Sequence, residues 1–161
     1  MGAGQSTIPN CERTAMPCTA KENTCRTCSS VLYPVQGTEK PSSPVVQCFT
    51  CPGKPFICGT CLSPWQGRPG DAKRHCPNKK CAVVGILLTC SLITDPNSKV
   101  KGCPEFRACP KCYSLMTHNG EGCNNIGCSE CTHVFCYICL RDSRECMSIC
   151  CFRAGRQWFS T

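Results

Sequence analysis

A chain of 161 residues holds one ordinary domain or two small ones, and 22 of its residues are cysteine. Valine, leucine, isoleucine and phenylalanine together make up under a fifth of the chain, which excludes a sizeable hydrophobic core and requires disulfides or metal in its place. The formal charge is +8, from 18 basic and 10 acidic residues, and taken alone it would suggest nucleic acid or an anionic membrane as partner.

Residues 1–24 read as a flexible N-terminal tail, rich in Thr, Pro and small residues. They carry no basic n-region and no apolar h-region, so a secretory signal is not expected and the thiols are expected to stay reduced. Gly2 with Ser6 matches the N-myristoylation pattern, conditional on Met1 being the true start; the plainer reading is a chance match in a tail. One myristoyl chain gives only marginal, reversible membrane binding, so the expected localisation is cytoplasmic with a membrane-associated share. Palmitoylation of Cys11 or Cys18 would supply a second anchor.

From residue 25 the cysteines fall into a repeat. Three pairs with two intervening residues, Cys25/Cys28, Cys48/Cys51 and Cys58/Cys61, are followed by the looser pair Cys76/Cys81. The order then recurs as Cys109/Cys112, Cys128/Cys131, Cys136/Cys139 and the looser Cys146/Cys151, with Cys150 as a competitor for the last place. Two residues between cysteines make a tight turn that aims both sulfurs at one ion, and two such turns complete a tetrahedron. Eight ligands per repeat give two zinc ions per module and four in all.

The expected fold is therefore two consecutive double-zinc domains: small, zinc-stabilised, loop-rich modules with short β-hairpins and little hydrophobic core. The boundaries are a first zinc module at 25–90, a linker at 91–108 with a turn at Asp95–Ser98, a second zinc module at 109–151 and a C-terminal tail at 152–161. Strand pieces are expected at residues 47–49 and 133–135, and a buried strand or short helix at residues 82–88, a stretch too short to cross a membrane. Phe49, Phe56, Trp65 and Phe135 are expected to pack around the metal sites. The metal also resolves the charge. Each zinc with four thiolates carries two negative charges, so four centres bring the folded chain near neutral. With no basic stripe interleaved with aromatic residues, a nucleic-acid partner is not expected.

Cys123 stands outside the ligand scheme. It lies between Cys112 and Cys128 in a loop opened by Gly120 and Gly122, whereas the matching loop of the first module, residues 29–47, has no cysteine. An unpaired thiol on an exposed glycine-rich loop is a candidate nucleophile, and the plainer reading is a spare thiol or alternative ligand. Cys11, Cys18, Cys90 and Cys103 read as inert.

Cys109-Pro110-Lys111-Cys112, Glu121-Gly122-Cys123-Asn124, Cys128/Cys131 and Phe135-Cys136-Tyr137-Ile138-Cys139-Leu140 resemble the catalytic second RING of the RING-between-RING ubiquitin ligases. Residues 25–81, with Cys58/Cys61, Trp65 and Cys76/Cys81, resemble the in-between-RING (IBR) module of that family. The resemblance implies a ubiquitin-protein transferase in which Cys123 accepts ubiquitin from a ubiquitin-conjugating enzyme as a thioester and passes it to a substrate lysine. Three features depart from the family pattern. Asn125 stands where many members carry a general-base histidine, leaving His118 and His133 as the nearby substitutes. Tyr137 stands where Trp is common. Residues 1–24 hold only Cys11 and Cys18, too few for a first RING, the module that recruits the conjugating enzyme. The alternative expectation is accordingly a non-catalytic zinc scaffold that binds ubiquitin or another protein.

Overall fold

The structure, a computed structural model, describes residues 24–35, 45–67, 76–146, 150 and 152–161. Its recurring unit is a six-residue knuckle. In five of the tight cysteine pairs the first cysteine's carbonyl accepts the N–H four residues on, and its own N–H donates to the carbonyl five residues on. Ser29 N–H thus reaches Cys25 O at 2.8 Å while Cys25 N–H reaches Ser30 O at 2.8 Å, and the same pair of bonds recurs at Cys58, Cys109, Cys128 and Cys136. Closing this ring turns the residue after the second cysteine into the left-handed region: Ser29, Leu62, Tyr113, Thr132 and Leu140 have φ between 57° and 63°. The sixth pair, Cys48/Cys51, closes by a bond from Lys54 N–H to Cys51 O at 3.0 Å and places Gly53 at φ 74°.

Short strands link the knuckles. In the first module β1 (Tyr33–Pro34), β2 (Val45–Gln47) and β3 (Phe56–Cys58) form an antiparallel sheet in that order, with Val46 opposite Ile57. Helix α1 (Cys81–Thr89) follows the looser cysteine pair. The second module has two hairpins, β4 (Phe106–Ala108) with β5 (Leu115–Thr117) and β6 (Asn125–Gly127) with β7 (Val134–Cys136). The expected strand pieces fall within two residues of β2 and β7. The stretch at 82–88 is the body of α1, where Val84 and Leu87 are buried. Val84 packs on Cys58, Cys61 and Cys76, so the helix covers a cysteine cluster from one side. No helix among the described residues is long and apolar enough to cross a membrane.

The apolar residues sit in five small clusters, four of them built around cysteine sulfur. Trp65 packs in the cluster of Cys58, Cys61 and Cys76, and Phe135 is fully buried with Cys109 and Cys128. Phe49 departs from the expected role: it is about half exposed, with its ring edge on Tyr33. The fifth cluster joins Val100, Cys103 and Tyr137. It fastens the segment expected as a linker onto the second module, because the Tyr137 hydroxyl donates to Glu105 O at 2.8 Å, while Ile93 N–H bonds Cys103 O at 2.8 Å within the segment.

Residues 152–161 cross both modules as a strap, where the composition suggested a loose tail. Fully buried Arg107 donates to the carbonyls of Ala154, at 2.7 Å, and Gly155. The Gln157 amide exchanges two bonds of 2.8 Å with the Ala108 backbone. On the first module Trp158 Nε1–H donates to Cys61 O at 2.6 Å, and the Arg26 guanidinium lies 4.1 Å from the Trp158 ring centre. Asn78 Nδ2–H donates to Phe159 O at 3.0 Å.

Candidate metal centres and the Cys123 loop

The knuckles bring the cysteines together as four quartets: Cys25, Cys28, Cys48 and Cys51; Cys58, Cys61, Cys76 and Cys81; Cys109, Cys112, Cys128 and Cys131; and Cys136, Cys139, Cys146 and Cys150. Within each, all sulfurs lie within 4.8 Å of one another. Sample separations are 3.7 Å for Cys25–Cys51, 3.5 Å for Cys112–Cys128 and 3.5 Å for Cys139–Cys146. A tetrahedral zinc with Zn–S bonds of about 2.3 Å sets its sulfurs about 3.8 Å apart. Other pairs run from 3.0 Å for Cys136–Cys150 to 3.9 Å for Cys139–Cys150, around that figure, and none of the described cysteines is in a disulfide. The four are zinc-binding groups, each filled by consecutive pairs along the chain. In the fourth, Cys150, the competitor for the last place, stands with Cys136, Cys139 and Cys146 among the described residues. Cys151, Gly2, Cys11 and Cys18 lie outside the described residues.

The electrostatics of the quartets also call for a cation. Ser30, with its hydroxyl and then its backbone N–H, draws the Cys28 thiol down to about 6, and Ser114 does the same for Cys112. The Ser114 hydroxyl lies 3.2 Å from Cys112 Sγ. Across the same cluster Cys51 is pushed up to about 12, first by Cys28 and then by burial. Four thiols crowded this closely cannot all ionise against each other, and a divalent ion removes the conflict. With four protein sulfurs per ion no coordination position is left for water, so these are structural centres.

Cys123 is in none of the quartets and is exposed. It follows Gly120 and Gly122, at φ 86° and 75°, which turn the loop outward between β5 and β6. Asn125 N–H points at Cys123 Sγ at 3.5 Å. The thiol borders an open groove of about 390 Å³ lined also by His118, Glu121 and Asn125. Of the two histidines named as base substitutes, His118 is at this loop, but both its ring nitrogens are engaged with backbone, on Gly120 N and Cys123 O. His133 lies 3.8 Å from Asp142 and stacks on Phe135, in the β6–β7 hairpin. Neither presents a free ring nitrogen to the Cys123 sulfur. Cys103 is buried core, and Cys90 Sγ takes an N–H from Arg156 of the strap at 3.3 Å, a role that composition could not show.

Fold and site together define a small, loop-rich protein organised by zinc-binding groups, with only small apolar clusters among the described residues. Residues 104–146 match the IBR domain family. The mouse (Mus musculus) E3 ubiquitin-protein ligase ARIH2 is 30% identical over 105 residues, 65% of this chain and 18% of the mouse protein. The potential E3 ubiquitin-protein ligase ariadne-2 of Caenorhabditis elegans is 47% identical over 34 residues, covering 21% of this chain and 7% of its own length. The E3 ubiquitin-protein ligase dbl4 of Schizosaccharomyces pombe is 44% identical over 34 residues, covering 21% of this chain and 6% of its own. In these stretches the chain is similar to E3 ubiquitin-protein ligases, and it spans under a fifth of the length of each of these relatives. The IBR match falls on the C-terminal module, the one whose motifs resemble the catalytic second RING.

Proposed function

We propose that this chain accepts ubiquitin as a thioester on Cys123 and passes it to an amine of a protein substrate. The observation that carries the reading is the exposed sulfur of Cys123, alone among the described cysteines of the second module in standing outside both quartets and the buried core. In the first step the Cys123 thiolate attacks the thioester carbonyl of a charged ubiquitin-conjugating enzyme. A new C–S bond forms, the old one breaks, and the enzyme's thiolate leaves. In the second, a substrate lysine attacks the new thioester, an amide forms, and the Cys123 thiolate departs. The Asn125 N–H stands 3.5 Å from its sulfur as a hydrogen-bond donor in both steps. The Asn125 side chain holds no titratable group, so the proton of the attacking amine is lost to solvent or to the substrate. The saturated zinc centres hold the loop in place and take no part in the chemistry.

The IBR match over the same module favours a second reading, a scaffold that binds ubiquitin or a protein partner without forming a thioester. Incubating the chain with a charged conjugating enzyme separates the two. A thiol-reducible adduct that is lost in Cys123→Ala and kept in Cys90→Ala is the result expected for transfer. Ubiquitin binding with no adduct for any conjugating enzyme would leave the scaffold. We also propose lipidation at Gly2, with reversible membrane association as its consequence. Labelling with an alkyne myristate analogue should mark the wild type and not Gly2→Ala, and equal labelling would remove this part.

A further inference from the structure

We infer that His118 is a positioning residue for Cys123, holding the nucleophile's loop by a two-point clasp. This rests on the reading of Cys123 as the ubiquitin acceptor. The ring sits directly after β5, and its Nδ1 lies 2.9 Å from Gly120 N while its Nε2 lies 3.0 Å from Cys123 O. A backbone N–H can only donate and a carbonyl can only accept, so the two partners fix the tautomer: Nδ1 is bare and Nε2 carries the proton. The ring thereby bridges the start of the loop to the residue that carries the thiol.

The clasp is itself anchored. The His118 ring packs against Tyr137 with centroids 5.2 Å apart, and Tyr137 is fully buried with its hydroxyl held on the carbonyls of Pro104 and Glu105. At the same loop, a side chain at Gly120 would come within 3.5 Å of the buried Ser98 hydroxyl, so the 95–103 turn closes the clasp from the other side. Between β5 and β6 the backbone has two left-handed glycines and no strand pairing, and it is next held at Asn124, whose carbonyl accepts Tyr137 N–H at 2.7 Å. With the clasp made, Cys123 O is fixed, and Sγ stays in reach of the Asn125 N–H. His118 thus takes over loop organisation and, with no free ring nitrogen, not proton transfer.

The test uses the full zinc-loaded chain in four forms: wild type, His118→Ala, His118→Asn and His118→Gln. The Asn oxygen reaches where Nδ1 sits and keeps the Gly120 point. The Gln amide reaches where Nε2 sits and keeps the Cys123 point. Amide hydrogen exchange at Gly120 should speed up about two- to tenfold in His118→Ala and His118→Gln and stay near wild type in His118→Asn, the change expected from one hydrogen bond. Alkylation of Cys123 by iodoacetamide, mapped by mass spectrometry, should slow by a similar factor in His118→Ala and be restored more by Gln than by Asn. The Asn and Gln forms carry the comparison should His118→Ala lose zinc. Equal Gly120 exchange in all four forms, or Cys123 alkylation unaffected by any of the three substitutions, would overturn the clasp. Alkylation that follows this pattern in a chain that never forms a ubiquitin thioester would leave the clasp standing and remove the transfer reading instead.

Discussion

Five knuckle residues hold a strained backbone in the same place. Ser29, Leu62, Tyr113, Thr132 and Leu140 all hold φ near 60°, a conformation that costs a non-glycine residue roughly 1–2 kcal/mol. They hold it because two backbone bonds and two sulfurs on one ion over-determine each knuckle. Thr132 is exposed, and its hydroxyl bonds only the neighbouring Cys131 carbonyl. Thr132→Gly should therefore stabilise the second module by about 1 kcal/mol, read as a higher chelator concentration at half unfolding. The serines two residues after Cys28 and Cys112 act in the opposite direction to burial. By drawing these thiols down to about 6 from an ordinary 9.0 they favour the thiolate that zinc takes. Removing a hydroxyl in Ser30→Ala or Ser114→Ala raises that thiol, so a proton competes with zinc sooner. The pH of half-maximal zinc release, followed with a chromogenic chelator, should move upward in both variants and stay put in Ser129→Ala, where the residue is exposed.

Among the elements, α1 shows how little ordinary secondary-structure propensity governs here. It is a nine-residue helix with no side-chain cap at its start, and its glycine lies mid-helix. Gly85 stays because a methyl there would come within 2.7 Å of Thr60 Cγ2, in the turn between Cys58 and Cys61. Elsewhere Gly→Ala inside a helix gains about 1 kcal/mol. In this chain Gly85→Ala is expected to destabilise the first module, and Gly85→Ala with Thr60→Ser to recover most of the loss, a coupling that a double-mutant cycle in chemical denaturation measures directly. The hairpins depend on their knuckles in the same way. Each of β4 to β7 is three residues long, too short to persist alone. Cys109→Ser should abolish the folded second module along with its zinc, whereas Cys123→Ser should keep both, as judged by metal content and near-ultraviolet circular dichroism.

Across the whole molecule, stability comes from metal and orientation comes from the strap. A structural zinc contributes on the order of 10 kcal/mol, comparable to the entire stability of an ordinary domain. Metal analysis of the purified chain should find about four zinc ions, and a strong chelator should unfold it without any reductant. Residues 152–161 add no ligand among those described; they join Arg107, Ala108 and Ile138 of one half to Cys61, Asn78 and Arg26 of the other. Arg107→Ala would leave the strap carbonyls of Ala154 and Gly155 without their donors, and Trp158→Ala would empty the other end. Either change should keep zinc content near four while raising amide hydrogen exchange across residues 152–161 and the Ala108 region. Zinc loss in step with that exchange would mean that the strap supports the metal sites themselves.

What the sequence by itself determined is the chemistry that depends on spacing. Two residues between cysteines leave room for one tight turn, so the paired ligands, the repeat, the zinc and the lack of a large core could all be read before any fold was known. The exposed Cys123 was legible for the same reason, as the one thiol of its loop that no pair claimed. Only the tertiary structure decided what rests on long-range geometry. That His118 rather than His133 lies at the Cys123 loop depends on which hairpin each occupies. The strap depends on carbonyls of residues 154 and 155 meeting a guanidinium almost fifty positions earlier. Such contacts are made by backbone groups that every residue carries, so composition and spacing hold no trace of them until the zinc centres have fixed both modules in space.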